Sequence, residues 1–246
     1  AVIDAPAAGR MAVGEALTNL AAAPIVLSQV KLSANWMAAA GVAGEDAALF
    51  DTVRAVAIEL CPALGVAIPV GKDSLAMRTT WTENGAPREV TAPVSLIVSA
   101  FAPCADVREV WTPALARIDA PTELVLLDPS GGHNRLGGSM LAQVYGQFGD
   151  EAPDLDDPQA LARMIALLAT LRERRQVLAY HDRSDGGLFA AVCEMCFAGR
   201  RGVTIDAEFF LFLFGVVAGP DEVLPLIHDV VFGGMQCETL IILFTA

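Results

Sequence analysis

The chain has 246 residues, of which 54% are hydrophobic and 18% are charged, so a sizeable core is expected and a disordered protein is excluded. Its formal net charge of -13 argues against nucleic acid and against anionic membrane surfaces as partners, because both attract clustered lysine and arginine. The longest strongly apolar run, residues 209–218, is too short to span a bilayer. The five cysteines are expected to be free thiols, which favours a cytoplasmic location.

The first predicted helix covers residues 10–23, a run of good helix formers that Pro24 ends. Glu15 and Asn19 are four residues apart within it, so both lie on one face of the helix. Carboxylate and amide oxygens suit Mg²⁺, which makes this pair a candidate metal site. The same spacing also fits an exposed polar stripe on an amphipathic helix, and the residues alone leave both interpretations open.

The next elements alternate between strand and helix. Residues 25–33 are a predicted strand, and residues 45–60 are a predicted helix with an apolar face. Residues 66–70 form another predicted strand, which we expect to end in a loop at residues 71–74. Lys72 in that loop is a candidate phosphate contact, although the upstream glycine spacing of a Walker A motif is missing.

A hairpin is predicted where strands at residues 77–81 and 89–102 flank Asn84 and Gly85, since Asn-Gly between such runs favours a tight turn. Residues 103–121 hold three prolines and show weak periodicity, which is typical of a boundary between domains.

A second α/β pattern follows this boundary. Strands are predicted at residues 123–128, 177–180, 203–206 and 240–244, and helices at 139–148, 158–174, 188–198 and from Pro220 onward. The glycine-rich segment 131–138 either approaches a ligand or simply turns the chain, and its composition leaves the choice open.

The segment His181-Asp182-Arg183-Ser184-Asp185-Gly186-Gly187 lies between a predicted buried strand and a predicted helix. Its glycines allow a ligand close to the backbone, the helix start offers free N–H groups to an anion, and Asp182 is a possible ligand of a divalent cation. The structural alternative is an ordinary helix cap made by Ser184 or Asp185.

Four motifs together resemble one family. They are residues 7–19 (AAGRMAVGEALTN), 31–37 (KLSANWM), 69–74 (PVGKDS) and 181–187 (HDRSDGG). In this order they resemble the large form of phosphoribosylformylglycinamidine synthase, the purine-pathway enzyme also called formylglycinamide ribonucleotide amidotransferase. The resemblance covers roughly residues 1–206, and four separated motifs make it specific.

The resemblance implies an α/β fold similar to aminoimidazole ribonucleotide synthetase, in the second of the two synthetase-like halves of the family. Residues 1–105 would be the C-terminal part of a barrel-forming first domain, 106–121 a linker, and 122–246 an α/β second domain with an irregular or truncated end. Relatives carry a further carboxylate and a lysine before the first motif and a glutaminase domain after the last one. We therefore expect this chain to be a fragment of a longer protein, inactive by itself.

The implied activity is an ATP-dependent C–N ligation that converts formylglycinamide ribonucleotide and glutamine to the amidine. By resemblance, Glu15, Asn19 and Asp182 would hold Mg²⁺, Ser184 and Gly186 would contact ATP or ADP, and Lys72 would do so more weakly. In the later half of this family a tightly held nucleotide has a structural role. The resemblance therefore leaves two roles open for these ligands, stabilising the fold or taking part in catalysis. The implied partners are the nucleotide and the rest of the same polypeptide, namely the first synthetase half and the glutaminase domain.

Two other interpretations compete with this one. The first is another ATP-using member of the superfamily, of the thiamine phosphate kinase or hydrogenase-maturation type. The sequences Asn-Trp-Met at residues 35–37 and Asp-Arg-Ser-Asp-Gly-Gly at residues 182–187 argue against it. The second is a non-catalytic scaffold domain, which the alanine-rich helices would suit. One departure from the family is residues 207–215, where relatives carry an Asn-Glu-Glu stretch, and no site is assigned to the residues that follow.

Overall fold

A computed structural model describes residues 1–118, 122–130, 133 and 135–203, together with the backbone of residues 240–245. Its helices are α1 (Ala5–Ala21), α2 (Glu45–Val53), α3 (Cys61–Leu64), α4 (Met140–Val144), α5 (Pro158–Glu173) and α6 (Gly187–Gly199). Its strands are β1 (Lys31–Met37), β2 (Ala67–Ser74), β3 (Arg78–Glu83), β4 (Ala86–Thr91), β5 (Ser95–Phe101), β6 (Thr122–Leu127), β7 (Val177–Asp182) and β8 (Leu240–Thr245). This mixed arrangement confirms the predicted α/β class.

The first sheet has the strand order β2-β1-β5, with β1 parallel to β2 and antiparallel to β5. Alternate side chains of β1, those of Leu32, Ala34 and Trp36, are buried. The predicted strand at residues 25–33 is therefore wrong in position, because residues 27–29 form a 3-10 turn closed by a hydrogen bond from Val30 N to Leu27 O (3.0 Å).

The predicted hairpin is confirmed by the pairing of β3 with β4. Asn84 and Gly85 have φ values of 50° and 80°, the left-handed backbone that such a turn requires. The single strand predicted at residues 89–102 is instead two strands in different sheets. The break falls at Pro93, whose nitrogen cannot donate to a ladder, so β4 ends before it and β5 begins after it.

The helix predicted at residues 45–60 continues to Leu64. Residues 54–60, between α2 and α3, form a π-helical segment that ends two residues before Pro62. Pro62 cannot donate the usual backbone hydrogen bond, and a local widening of the helix accommodates such a residue. The helix ends at Gly65, which has the left-handed φ of 69°.

The second sheet has the order β6-β8-β7, with both pairs antiparallel. The predicted strands at residues 123–128, 177–180 and 240–244 are confirmed in this sheet. The helix predicted at 139–148 is shorter, because the chain turns after Val144 and Gly146 adopts a φ of 64°. The strand predicted at 203–206 lies outside the described residues except for residue 203. The helix predicted from Pro220 also begins outside them.

One hydrophobic core joins the two halves of the chain. It is formed by buried side chains of α1, β1 and α3 from the first half and of β6, α5 and β7 from the second, including Leu17, Leu32, Val125, Leu168 and Tyr180. No helix in the described part of the chain combines the length and the apolar character needed to cross a membrane.

Candidate nucleotide and metal site

The segment after β7 is a tight turn that leads directly into α6. Gly187 N donates to Ser184 O at 3.0 Å, and α6 then begins at Gly187. Gly186 occupies the N-cap position with a φ of 85°, and no side chain makes a capping hydrogen bond. The alternative in which Ser184 or Asp185 caps the helix is therefore wrong for this structure.

Gly186 cannot easily be replaced in this turn. A side chain there would combine a left-handed backbone with a Cβ placed 2.5 Å from the Cβ of Ala190. The turn thus leaves Ser184 and Gly186 on a compact backbone directly beside Asp182, which is the last residue of β7.

The predicted acid–amide pair lies on the exposed face of α1. Glu15 and Asn19 are both exposed, one helical turn apart. The Glu15 carbonyl accepts hydrogen bonds from Asn19 Nδ2 (2.9 Å) and from the Thr18 hydroxyl (3.0 Å). The helix also contacts β7, the strand that carries Asp182.

The negative charges of the turn after β7 act on Glu15. The pKa of Glu15 is raised by partial burial and then by the negative charges of Asp182 and Asp185. Glu15 precedes Asp182 by 167 residues in the chain, yet the charges of Asp182 and Asp185 act on it in the folded protein. Repulsion of this kind is what a bound cation relieves.

His181 links Asp182 to Glu194, an arrangement that the sequence motifs did not predict. His181 Nδ1 lies 3.3 Å from Asp182 Oδ1, and its Nε2 lies 2.8 Å from Glu194 Oε2. These two carboxylates raise the pKa of His181, with the Asp182 hydrogen bond as the larger cause, against the opposing effect of burial. The signal in the sequence was weak, because Glu194 lies in the middle of α6 and belongs to no motif.

Lys72 has a different setting from the one predicted. The loop expected at residues 71–74 is wrong, because these residues extend β2 in register with β1. Lys72 pairs with Asn35, which alternates with the buried residues of β1, so Lys72 lies on the face of the sheet turned away from the core. Its ammonium group donates to the Ser74 hydroxyl at 2.6 Å.

The donor set suits Mg²⁺ with a bound phosphate. Among the described residues, no three His, Cys, Asp or Glu side chains form a group that could hold a metal ion alone. Mg²⁺ commonly uses one or two carboxylates and completes its coordination with phosphate and water. Glu15 and Asp182 would supply those carboxylates, Asn19 would supply an amide oxygen, and the start of α6 would offer backbone N–H groups to phosphate.

Comparisons with known proteins agree with this architecture. Residues 1–103 match the model of the FGAR-AT PurM_N-like domain, and residues 122–245, half of the chain, match that of the AIR synthase related protein, C-terminal domain. The chain belongs to the AIR synthase-related family. The AIR synthase-like fold expected from the four motifs is thereby confirmed.

Solved structures of this AIR synthase-related fold include proteins of several functions. Escherichia coli HypE, a hydrogenase maturation protein, has a TM-score of 0.51 at 18% identity, covering 96% of this chain and 64% of its own. Thermotoga maritima PurL complexed with FGAR has a TM-score of 0.56 at 14% identity, covering 99% and 35%. Thiamine-monophosphate kinase from Stenotrophomonas maltophilia has a TM-score of 0.54 at 18% identity, covering 99% and 69%.

These identities show a shared fold alone. T. maritima PurL has also been solved with ATP, with ADP and with AMPPCP. The chain spans about a third of the PurL length and just under two thirds of the HypE length.

Proposed function

We propose that this chain carries part of an Mg²⁺–nucleotide site in a large-type phosphoribosylformylglycinamidine synthase, an ATP-dependent ligase that uses ammonia from glutamine. The observation that carries the proposal is the packing of α1, which carries Glu15 and Asn19, against β7, which ends at Asp182. The match of residues 1–103 to the FGAR-AT PurM_N-like model supports the choice of this enzyme.

In the proposed site, Glu15, Asn19 and Asp182 hold the cation, and Ser184 and Gly186 contact the nucleotide phosphates. Lys72 is the weakest member of the set, because the alternation of β1 and β2 turns it away from the core side of the sheet. A cation held by these residues would neutralise negative charge on the phosphates. His181 orients Asp182 through the contact between its Nδ1 and Asp182 Oδ1. Gly186 has no side chain, so a phosphate can approach the backbone of this turn closely.

The complete enzyme is proposed to activate the amide oxygen of formylglycinamide ribonucleotide by phosphorylation. The amide oxygen is a poor leaving group, and transfer of the γ-phosphoryl group from ATP makes it a good one. Ammonia then adds to the carbon and inorganic phosphate departs, which gives the amidine. The first synthetase half and the glutaminase domain are the proposed partners in the same polypeptide, and the site in this chain either takes part in that chemistry or braces the fold.

Thermal unfolding with and without Mg-ADP tests the site. Ligand at about 100 times its Kd stabilises a protein by about 2.7 kcal/mol, or roughly 5–10 °C in Tm for a chain of this size. We expect this shift in the wild type and its loss in Glu15→Ala and Asp182→Ala. Glu59→Ala, which removes an exposed glutamate on another helix, is the control and should keep the shift. An unchanged shift in both site variants would contradict the proposal.

A second candidate is an ATP-using enzyme of the thiamine-monophosphate kinase or hydrogenase-maturation type. The chain covers 69% of the kinase, about twice the share of PurL that it covers, with a comparable TM-score. An ammonia-dependent assay on the complete gene product separates the candidates. Formation of the amidine only when ammonia or glutamine is supplied supports the ligase, and phosphorylation of thiamine monophosphate supports the kinase.

A further inference from the structure

The C-terminal end of α1 depends on groups from the second half of the chain. The last carbonyls of any helix have no partner within the helix and need donors from elsewhere. In α1 these carbonyls begin at Thr18, which lies between Glu15 and Asn19, so a donor to Thr18 O holds the turn that carries the proposed ligands.

Three groups supply the missing donors. The Tyr180 hydroxyl donates to Thr18 O at 2.5 Å. Arg172 Nη2 donates to Ala21 O and Ala22 O, each at 3.0 Å. The Trp111 backbone N–H also donates to Ala22 O, at 2.9 Å. The positive charge of Arg172 also suits the negative end of the helix dipole.

The same three residues, Tyr180, Trp111 and Arg172, stack on one another and form a joint between α1 and the second half of the chain. The Arg172 guanidinium lies 3.5 Å from the centroid of the Trp111 ring, within the range of a cation–π contact. The Trp111 and Tyr180 rings are stacked with their centroids 5.6 Å apart. Tyr180 is only 4% exposed, so its ring and hydroxyl are enclosed by the core at this point.

This joint connects both sides of the proposed site. Thr18 lies in the same helical turn as Glu15 and Asn19, and Tyr180 precedes Asp182 by two residues on β7. The hydrogen bond between the Tyr180 hydroxyl and Thr18 O thus ties together the two elements that carry the proposed ligands. We propose that Tyr180, held by Trp111 and Arg172, is a positioning residue that sets the spacing between the α1 ligands and Asp182. This inference rests on the proposed nucleotide site.

Tyr180→Phe tests it, because the change removes only the hydroxyl. Calorimetry with ADP in the presence and absence of Mg²⁺ should show about a tenfold weaker Kd for Mg-ADP, the size expected for one lost buried hydrogen bond. Affinity for ADP without Mg²⁺ should be unchanged, because only the cation ligands are misplaced. A purely structural role would not separate the two affinities in this way.

Two control variants complete the experiment. Tyr145→Phe makes the same chemical change at an exposed tyrosine, and Thr52→Val removes a buried hydroxyl that donates to Ala48 O at 2.7 Å. Both should bind Mg-ADP as the wild type does. If Thr52→Val weakens binding as much as Tyr180→Phe, or if Tyr180→Phe binds normally, the positioning role is overturned while the nucleotide site stands. If the wild type itself binds no Mg-ADP, the nucleotide site fails and the positioning role with it.

Discussion

The guanidinium of Arg10 on α1 binds the carboxylate of Asp154 through two hydrogen bonds, of 2.7 Å from Nε and 2.6 Å from Nη2. The two side chains are 22% and 20% exposed. A forked pair of this kind fixes both distance and orientation, so it ties the first helix to the segment that precedes α5.

We expect Arg10→Ala to lower the free energy of unfolding by about 1–2 kcal/mol, between the values typical of exposed and of buried pairs. Urea unfolding provides the measurement. Arg54→Ala removes an arginine that is 54% exposed and pairs with Asp51 (3.1 Å) and Glu59 (3.5 Å), and it should cost less than about 0.5 kcal/mol. Equal losses in the two variants would show that the Arg10 pair contributes nothing beyond a surface contact.

Glu15→Gln should stabilise the chain slightly when Mg²⁺ is absent. The pKa of Glu15 is raised in the folded state, so its ionised form is disfavoured there and stability rises as pH falls through the folded pKa towards the unfolded value. The variant should lose this part of the pH dependence and gain about 0.5 kcal/mol or less at neutral pH, since Glu15 is exposed. Urea titrations at pH 5 and pH 7 in EDTA measure both effects, and a loss of stability at pH 7 would contradict the expectation.

Gly199→Ala should destabilise the protein by about 1–3 kcal/mol, the usual cost of overpacking. A Cβ at this position would lie 2.6 Å from Leu115 N and 2.9 Å from Leu115 O. Gly202→Ala is the matched control, because nothing lies within 4 Å of its added Cβ, and its stability should stay within about 0.5 kcal/mol of the wild type. Similar thermal midpoints for the two variants would mean that residues near Leu115 do not pack against the end of α6.

Cys61 and Cys104 should differ strongly in reactivity. Cys61 is 4% exposed, and burial raises its pKa to about 11, so almost no thiolate is present at pH 8. Cys104 is exposed. A brief iodoacetamide pulse followed by peptide mass spectrometry should label Cys104 and leave Cys61 unmodified until the protein is unfolded. Labelling of Cys61 at a comparable rate in the folded protein would contradict its burial.

Local signals were sufficient for some elements of this fold. In α5 the buried residues Leu161, Ile165 and Leu168 follow the helical period, because one face meets the core, and the sequence predicted that helix closely. The hairpin was equally clear, because Asn84 and Gly85 tolerate the left-handed backbone of the turn. In both cases the information lies within a few neighbouring residues.

Relationships between distant residues were not accessible in this way. The start of β1 could not be placed from the sequence, because residues 25–30 include four apolar, mostly β-branched side chains, and only pairing with β2 and β5 selects Lys31 as the first strand residue. At the candidate site, Glu15, Asn19 and Asp182 were proposed through family resemblance alone, because the spacing of Glu15 and Asn19 by itself favours an ordinary polar stripe. The contact of Tyr180 with Thr18 joins residues 162 positions apart and has no local signature.

The position of β8 between β6 and β7 means that the second sheet cannot form until the end of the chain has been synthesised. Both outer strands precede their shared neighbour in the chain, and residue 182 ends β7 whereas residue 240 begins β8. At 5–20 residues per second, roughly 3–12 seconds of translation separate them. During that interval the edges of β6 and β7 that pair with β8 have no partner strand, and unpaired edges favour aggregation. A molecular chaperone that protects these edges would therefore have to act before β8 is synthesised.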